Sequence, residues 1–263
     1  MKQRTITAII AGLIFVPIVL LGGTPFTIFV YLLASIAIFE LMRMKHIARY
    51  SISSLITLLF MWSLMLPESV PYHLNIFVSK SELSLLAVLL LLSYTVLVNN
   101  RFTFDDAGFV LISAIYVGMG FYYLIETRQS GGLDYVFYAL FVVWATDTGA
   151  YIFGRLFGKR KLWPKISPKK TVEGALGGII LASVVAVIFQ LVHPLHSSML
   201  LLVAVTILIS ITGQIGDLVE SAFKRHYLVK DSGKILPGHG GVLDRFDSLI
   251  FMLPVLHLIN FIP

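Results

Sequence analysis

Long apolar runs follow one another through almost the whole chain, separated by short polar stretches. That pattern fixes the solvent in which the chain can fold. A helical run of about 20 apolar residues matches the ~30 Å hydrocarbon core of a bilayer. A helix also pairs its own backbone groups, which lipid cannot do for it. Nine runs are read: Ile6–Leu21, Pro25–Met42, Ile52–Leu66, Leu83–Val98, Ala107–Ile125, Tyr135–Phe153, Gly174–Val192, Met199–Gly216 and Ser248–Ile262. Pro17 and Pro254 fall inside runs, where neighbouring helices can satisfy the freed backbone groups.

Composition closes off the other classes. Hydrophobic residues make up 57% and charged residues 13% of 263, whereas a soluble domain carries roughly 25% charged residues. The chain is too apolar for a disordered protein. It has no Cys, so it is not a secreted disulfide scaffold. The first run lacks the cleavage site of a signal peptide, and no internal repeat is evident. The expected fold is all-α: a polytopic integral membrane protein of about nine transmembrane helices. Residues 1–134 form N-terminal transmembrane helices. Residues 135–263 form a C-terminal transmembrane catalytic region with loops 155–173 and 217–247.

The basic residues orient this plan. With the N-terminus cytoplasmic and the C-terminus outside, 18 of the 20 Lys and Arg fall in inner loops, and only Lys80 and Arg128 fall outside. Cytoplasmic loops are enriched in Lys and Arg, and dropping one helix would invert every later loop. Topology alone does not account for loop 155–173. There Arg155, Lys159, Arg160, Lys161, Lys165, Lys169 and Lys170 face a single acid, Glu173. Nor does it account for 217–247, which mixes acids and bases equally.

An acid inside a membrane helix is costly and needs a reason. Asp147 sits in the inner half of the sixth run, within Trp144-Ala145-Thr146-Asp147-Thr148-Gly149. It serves either helix packing or a polar cavity. Glu40, at the inner end of the second run, reads as a simple interfacial residue. If the eighth helix continues past Gly216, then Asp217, Glu220, Ser221 and Lys224 form one polar stripe. The segment Pro237-Gly238-His239-Gly240-Gly241 cannot be a regular helix, and its glycines permit close backbone approach to a ligand. Asp244 and Asp247 follow at helical spacing. With Asp217 they make an oxygen-rich set of the kind that hard cations such as Mg²⁺ take, together with substrate phosphates. Lys169 and Lys170, beside Ser167, Thr171 and a helix start, suit a polyanion. Gly174 and Gly178 read as a helix-packing face. Carboxylates for a metal, bases for phosphates and a flexible Gly loop on one side of one membrane point to phosphoryl or nucleotidyl transfer on an amphiphilic substrate.

The run Ser221-x-Phe223-Lys224-Arg225-x₄-Lys230-Asp231-x-Gly233-x₂-Leu236-Pro237-x-His239-Gly240-Gly241-x₂-Asp244-Arg245-x-Asp247 resembles the signature of the phosphatidate cytidylyltransferases (CDP-diacylglycerol synthases). Asp147-Thr148-Gly149-Ala150-Tyr151 and Ser167-Pro168-Lys169-Lys170-Thr171-Val172-Glu173-Gly174 are similar to that family as well. The resemblance is most specific from Asp147 onward and weak in the first hundred residues.

The resemblance implies that CTP and phosphatidate of the cytoplasmic leaflet give CDP-diacylglycerol and pyrophosphate with Mg²⁺ or another divalent cation. It also implies a bacterial cell membrane with the reaction centre facing the cytoplasm. By resemblance and local chemistry, Asp217, Asp244 and Asp247 hold metal. Lys224, Arg225, Lys230 and Arg245 bind phosphates or pair with the acids. Ser221 and His239 orient substrate beside Gly240 and Gly241, while Asp147, Lys169 and Lys170 line the opposite wall. No nucleic-acid partner is expected. A homodimer is compatible with a small polytopic enzyme, though no residue pattern encodes one. Two other readings stay open here: a transporter or ion pathway, and a lipid-alcohol kinase of related architecture.

Overall fold

The structure is a computed structural model describing residues 2–47, 51–67 and 79–263, with side chains described from residue 5 onward. Arg49 and the side chains of Lys2 and Arg4, counted above as inner bases, lie outside the described residues. The helices are α1 (Lys2–Leu21), α2 (Gly23–Met44), α3 (Ile52–Leu64), α4 (Lys80–Leu97), α5 (Phe104–Ser130), α6 (Gly132–Phe157), α7 (Val172–Val192), α8 (Met199–His226) and α9 (Leu243–Leu258).

The chain is an all-α integral membrane protein by the length and composition of its helices. Among the described residues, α2 and α4 to α8 are long and apolar enough to cross a membrane. The apolar part of α1 and the whole of α3 are shorter. At 13 residues, α3 rises about 20 Å, less than the ~30 Å of a bilayer core. α8 does continue beyond Gly216, to His226, and α9 starts at Leu243 rather than Ser248. The last run therefore takes Asp244 and Asp247 into the helix.

One element departs from an all-helical reading. Loop 155–173 contains an antiparallel hairpin of β1 (Lys161–Trp163) and β2 (Ser167–Thr171), with Lys161 opposite Thr171 and Trp163 opposite Ser167. Its turn is closed by Ile166 N–H donating to Trp163 O at 3.1 Å. Pro164 stands second in that turn, where its fixed φ is favoured. Thr171 then caps α7, its hydroxyl accepting from Gly174 N–H at 3.1 Å.

Small residues set the helix spacing. A Cβ on Gly149 of α6 would come within 2.9 Å of the Gly178 Cα on α7, so the two backbones approach as small-residue faces allow. α5 packs on α2, α3 and α9, with Phe121 against Phe246 at 5.5 Å between ring centroids. Tyr138 to Thr206 at 2.8 Å and Thr146 to Ser210 at 2.9 Å tie α6 to α8. Such hydrogen bonds contribute roughly 0.6 kcal/mol each within membranes. Leu13, Leu85, Ile112 and Leu200 are among the apolar side chains left exposed on the outside, as a lipid-facing surface requires.

Polar contacts show which helix ends lie together. Lys45, after α2, bonds Asp106 at the start of α5 at 3.0 Å. Thr7 near the start of α1 donates to Pro237 O, ahead of α9, at 2.9 Å. At the other end Arg128 of α5 donates to Val19 O of α1 at 2.8 Å. Thr127 of α5 meets His257 of α9 there, at 3.0 Å. The C-terminal ends of α2 and α8 and the N-terminal ends of α7 and α9 therefore share one end of the bundle with the hairpin.

Candidate active site

Two groups of charges occupy that end. The first is a chain of buried contacts around Asp244. Its Oδ1 accepts from Lys224 Nζ at 2.7 Å. Its Oδ2 accepts from Ser232 N–H, Ser232 Oγ and Gly241 N–H, each at 2.8 Å. Lys224 also pairs with Glu220 one turn earlier on α8, and the Glu220 side chain is 1% exposed. A lysine held between two carboxylates inside a protein is an internal counter-charge, and its removal leaves those carboxylates unpaired.

Glu40 completes this chain from the other half of the sequence. Its carboxylate accepts from Val242 N–H and Leu243 N–H, both at 2.9 Å, and lies 3.0 Å from Ser232 Oγ, whose single proton it shares with Asp244. The acceptor thus satisfies amide donors at the start of α9, which no preceding turn can pair. Glu40 is not the interfacial residue expected from sequence: it is 6% exposed. A Cβ on Gly241 would strike both the Glu40 carboxylate and the Ser232 hydroxyl. Gly240 adopts φ +89° beside Asp244, a backbone state that glycine takes without steric cost. Leu236 N–H to Gly240 O at 3.0 Å and His239 N–H to Leu236 O at 2.8 Å close the turn between them.

The second group is acidic and more open. Asp147 of α6, Asp217 of α8 and Asp247 of α9 lie within electrostatic reach of one another. Asp147 also borders a small crevice with Thr146, Ser210, Gly213 and Ser248. Asp217 Oδ2 is bonded to Lys170 Nζ of β2 at 2.6 Å, and its Oδ1 accepts from Ser221 Oγ at 3.3 Å. Among the described residues, neither Asp147 nor Asp247 forms an ion pair, while Lys170 and Arg245 lie within electrostatic reach of Asp147. The hairpin is fixed over α8 by this Lys170 bond and by Arg225 Nε donating to Ile166 O at 3.2 Å. Its base is tied down by Glu173, which accepts from Lys159 N–H at 3.1 Å and pairs with Arg160 at 3.3 Å. Lys169, Lys230 and Arg245 are exposed and form no ion pair among the described residues.

The geometry redistributes the roles expected from sequence. Asp217, Asp244 and Asp247 are not drawn together as a metal-binding trio. Among the described residues no group of three or more His, Cys, Asp and Glu is set to hold an ion. Both oxygens of Asp244 are already committed to the lysine and the Gly loop. Asp147, Asp217 and Asp247 bring carboxylate oxygens, the donor type a hard divalent cation prefers, from three helices to within electrostatic reach of one another, without forming a ready-made ion site. Lys224 and Arg225 are bound to protein groups. His239 keeps a buried Nδ1 without a hydrogen-bond partner.

Three contributors escaped the sequence reading: Glu40, Ser232 and Tyr116. The Tyr116 hydroxyl is buried without a partner, within electrostatic reach of Asp247 and Glu220. Glu40 did leave a signal. An acid flanked by Ile38, Phe39, Leu41 and Met42 at a helix C-terminus opposes both burial and the helix dipole.

Comparison with known proteins places the chain. The profile described as the cytidylyltransferase family matches residues 2–262. The chain is 54% identical over 261 residues to the phosphatidate cytidylyltransferase of Bacillus subtilis, covering 98% of this chain and 97% of that one. It is 55% identical over 261 residues to the enzyme of that name from Staphylococcus haemolyticus, covering 98% of each. With the Staphylococcus aureus protein of that name it shares 49% identity over 259 residues, again 98% of each. A match across nearly the whole length, with the signature residues gathered at one end of the bundle, shows that this chain belongs to the cytidylyltransferase family.

Proposed function

We propose that the chain transfers the cytidylyl group of CTP to phosphatidate, giving CDP-diacylglycerol and pyrophosphate for phospholipid synthesis. A phosphate oxygen of phosphatidate attacks the α-phosphorus of CTP. The bond from that phosphorus to the bridging oxygen of the leaving group breaks, and pyrophosphate departs with the electron pair. Phosphatidate is already an anion, so no strong base is needed. The barrier is the approach of two anions, which fixed positive charge and alignment lower.

The observation that carries this reading is the Lys170–Asp217 bond, which sets a basic hairpin directly over the acidic end of α8. Lys169, Lys230 and Arg245 bind phosphates, and Lys170 moves between Asp217 and substrate. Ser221 and His239 orient substrate along the Gly240-Gly241 turn. Asp147, Asp217 and Asp247 would hold a divalent cation such as Mg²⁺, which when bound neutralises phosphate charge. With the N-terminus cytoplasmic, as the distribution of Lys and Arg supports, this centre, at the same end of the bundle as the start of α1, would face the cytoplasm. Transport is set aside because the charges gather at one end of the bundle rather than along a path.

A substrate panel tests the reading. The purified protein in detergent is given labelled CTP or ATP, phosphatidate or a lipid alcohol, and Mg²⁺ or a chelator. CDP-diacylglycerol and pyrophosphate should form only with CTP, phosphatidate and Mg²⁺ together. Phosphorylation of the lipid alcohol, or no product from CTP and phosphatidate, overturns it.

A further inference from the structure

A cavity of about 490 Å³ lies beside the last turns of α2, away from the acidic group. It falls in the usual size range of ligand pockets. Arg43 and His46 from the end of α2 and Lys234 from the loop before α9 border it. Ile36, Phe39 and Ile235 supply an apolar wall. Ile235 is 51% exposed beside these cations, so apolar and basic groups share one open wall. The neighbouring Lys45 is committed to Asp106 and Asp105 O, each at 3.0 Å. Arg43 and Lys234, by contrast, form no ion pair among the described residues. Glu40 also reaches this cavity, but its carboxylate is occupied by the amides of Val242 and Leu243 and by Ser232.

We propose that this cavity binds one anionic phospholipid, its phosphate at Arg43 and Lys234 and its chain along Ile36, Phe39 and Ile235. Basic pockets at the ends of membrane helices take anionic headgroups, and Arg adds a planar fork that matches phosphate oxygens. A free phosphate would satisfy the cations but leave the apolar wall unused. The site is separate from the reaction centre: the Glu40–Ser232–Asp244 chain stands between them, and no residue of the acidic group borders the cavity. A lipid here would press on residues 233–235, which lead into the Gly loop. The inference does not depend on the reaction proposed above.

Native mass spectrometry of the full chain in detergent tests it, with dioleoylphosphatidylglycerol, dioleoylphosphatidylcholine and inorganic phosphate as probes. The expected result is one preferentially retained phosphatidylglycerol. Retention should weaken roughly 10- to 30-fold in Arg43→Ala with Lys234→Ala, as loss of two membrane-surface cations implies. Arg101→Ala, outside the cavity, should leave it unchanged. Should the double alanine variant not fold, Arg43→Gln and Lys234→Gln singly carry the test, each weakening retention about fivefold. Equal retention of the two lipids, undiminished retention in the variants, or equal loss in Arg101→Ala overturns the proposal. Inorganic phosphate displacing the lipid at equal concentration also overturns it, since the site would then be a small-anion site.

Discussion

The Glu40 carboxylate shares the Ser232 hydroxyl proton with Asp244, at 3.0 Å across 192 residues of sequence. With the amides of Val242 and Leu243 on the same carboxylate, this contact fixes the Gly loop from outside the signature that contains it. Hydrogen bonds to a charged group contribute roughly 1.5–3 kcal/mol each, so Glu40 holds the loop more firmly than its remoteness in sequence suggests.

Glu40→Ala should lower cytidylyl transfer about 10- to 100-fold and reduce the melting temperature, because it strands buried amide donors. Glu40→Gln keeps one carbonyl acceptor and should fall between the alanine variant and wild type. Steady-state assay with labelled CTP, beside thermal melting in detergent, checks both. Wild-type turnover in Glu40→Ala would show that the loop holds its shape without it.

Gly241→Ala should be destabilising by about 1–3 kcal/mol, the usual range for overpacking, since its Cβ meets Glu40 and Ser232. Shortening the opposing acid with Glu40→Asp makes room. The double variant should therefore be less impaired than the sum of the singles, by roughly 0.5 kcal/mol or more. A double-mutant cycle on denaturation midpoints measures this, and strict additivity would contradict the packing described.

Asp217 and Asp244 should separate chemistry from architecture. Asp217→Asn should reduce transfer by about 10²–10³-fold, on the scale of losing one electrostatic stabiliser, with little change in melting. Asp244→Asn should lose both activity and stability, because it leaves Lys224 facing an imperfect acceptor and weakens the bonds to Ser232 and Gly241. Identical profiles for the two variants would refute the division of roles.

Lys80→Ala should leave transfer unchanged. Lys80 lies over the Tyr122 ring at 4.1 Å, far from the acidic group. Its loss should cost about 0.5–1 kcal/mol of stability at most. A strong loss of activity there would contradict the arrangement of helix ends.

The helices were legible because each follows from an apolar run, and α8 past Gly216 was legible from the spacing of Asp217, Glu220, Ser221 and Lys224. The hairpin was less so: Pro164 and Pro168 mark turns and irregularity, but a strand as short as β1 leaves no periodicity. The residues of the signature lie together at one end of the bundle. The signature could not distribute them, because Asp244 and Asp247 differ only in what folds against them. Asp244 meets Lys224 and the Gly loop, while Asp247 faces Asp217 and Asp147. Glu40 was missed for the same reason, since its amide partners lie more than two hundred positions downstream.

That separation bears on synthesis. Glu40 is made early, and its amide partners, Val242 and Leu243, belong to the last helix. Contacts so distant in sequence form late and close slowly. An unfinished chain, already inserted through its earlier helices, therefore carries a carboxylate still waiting for its donors and a loop with no fixed shape. The Gly loop can take the hydrogen bonds described above only once α9 itself has been made.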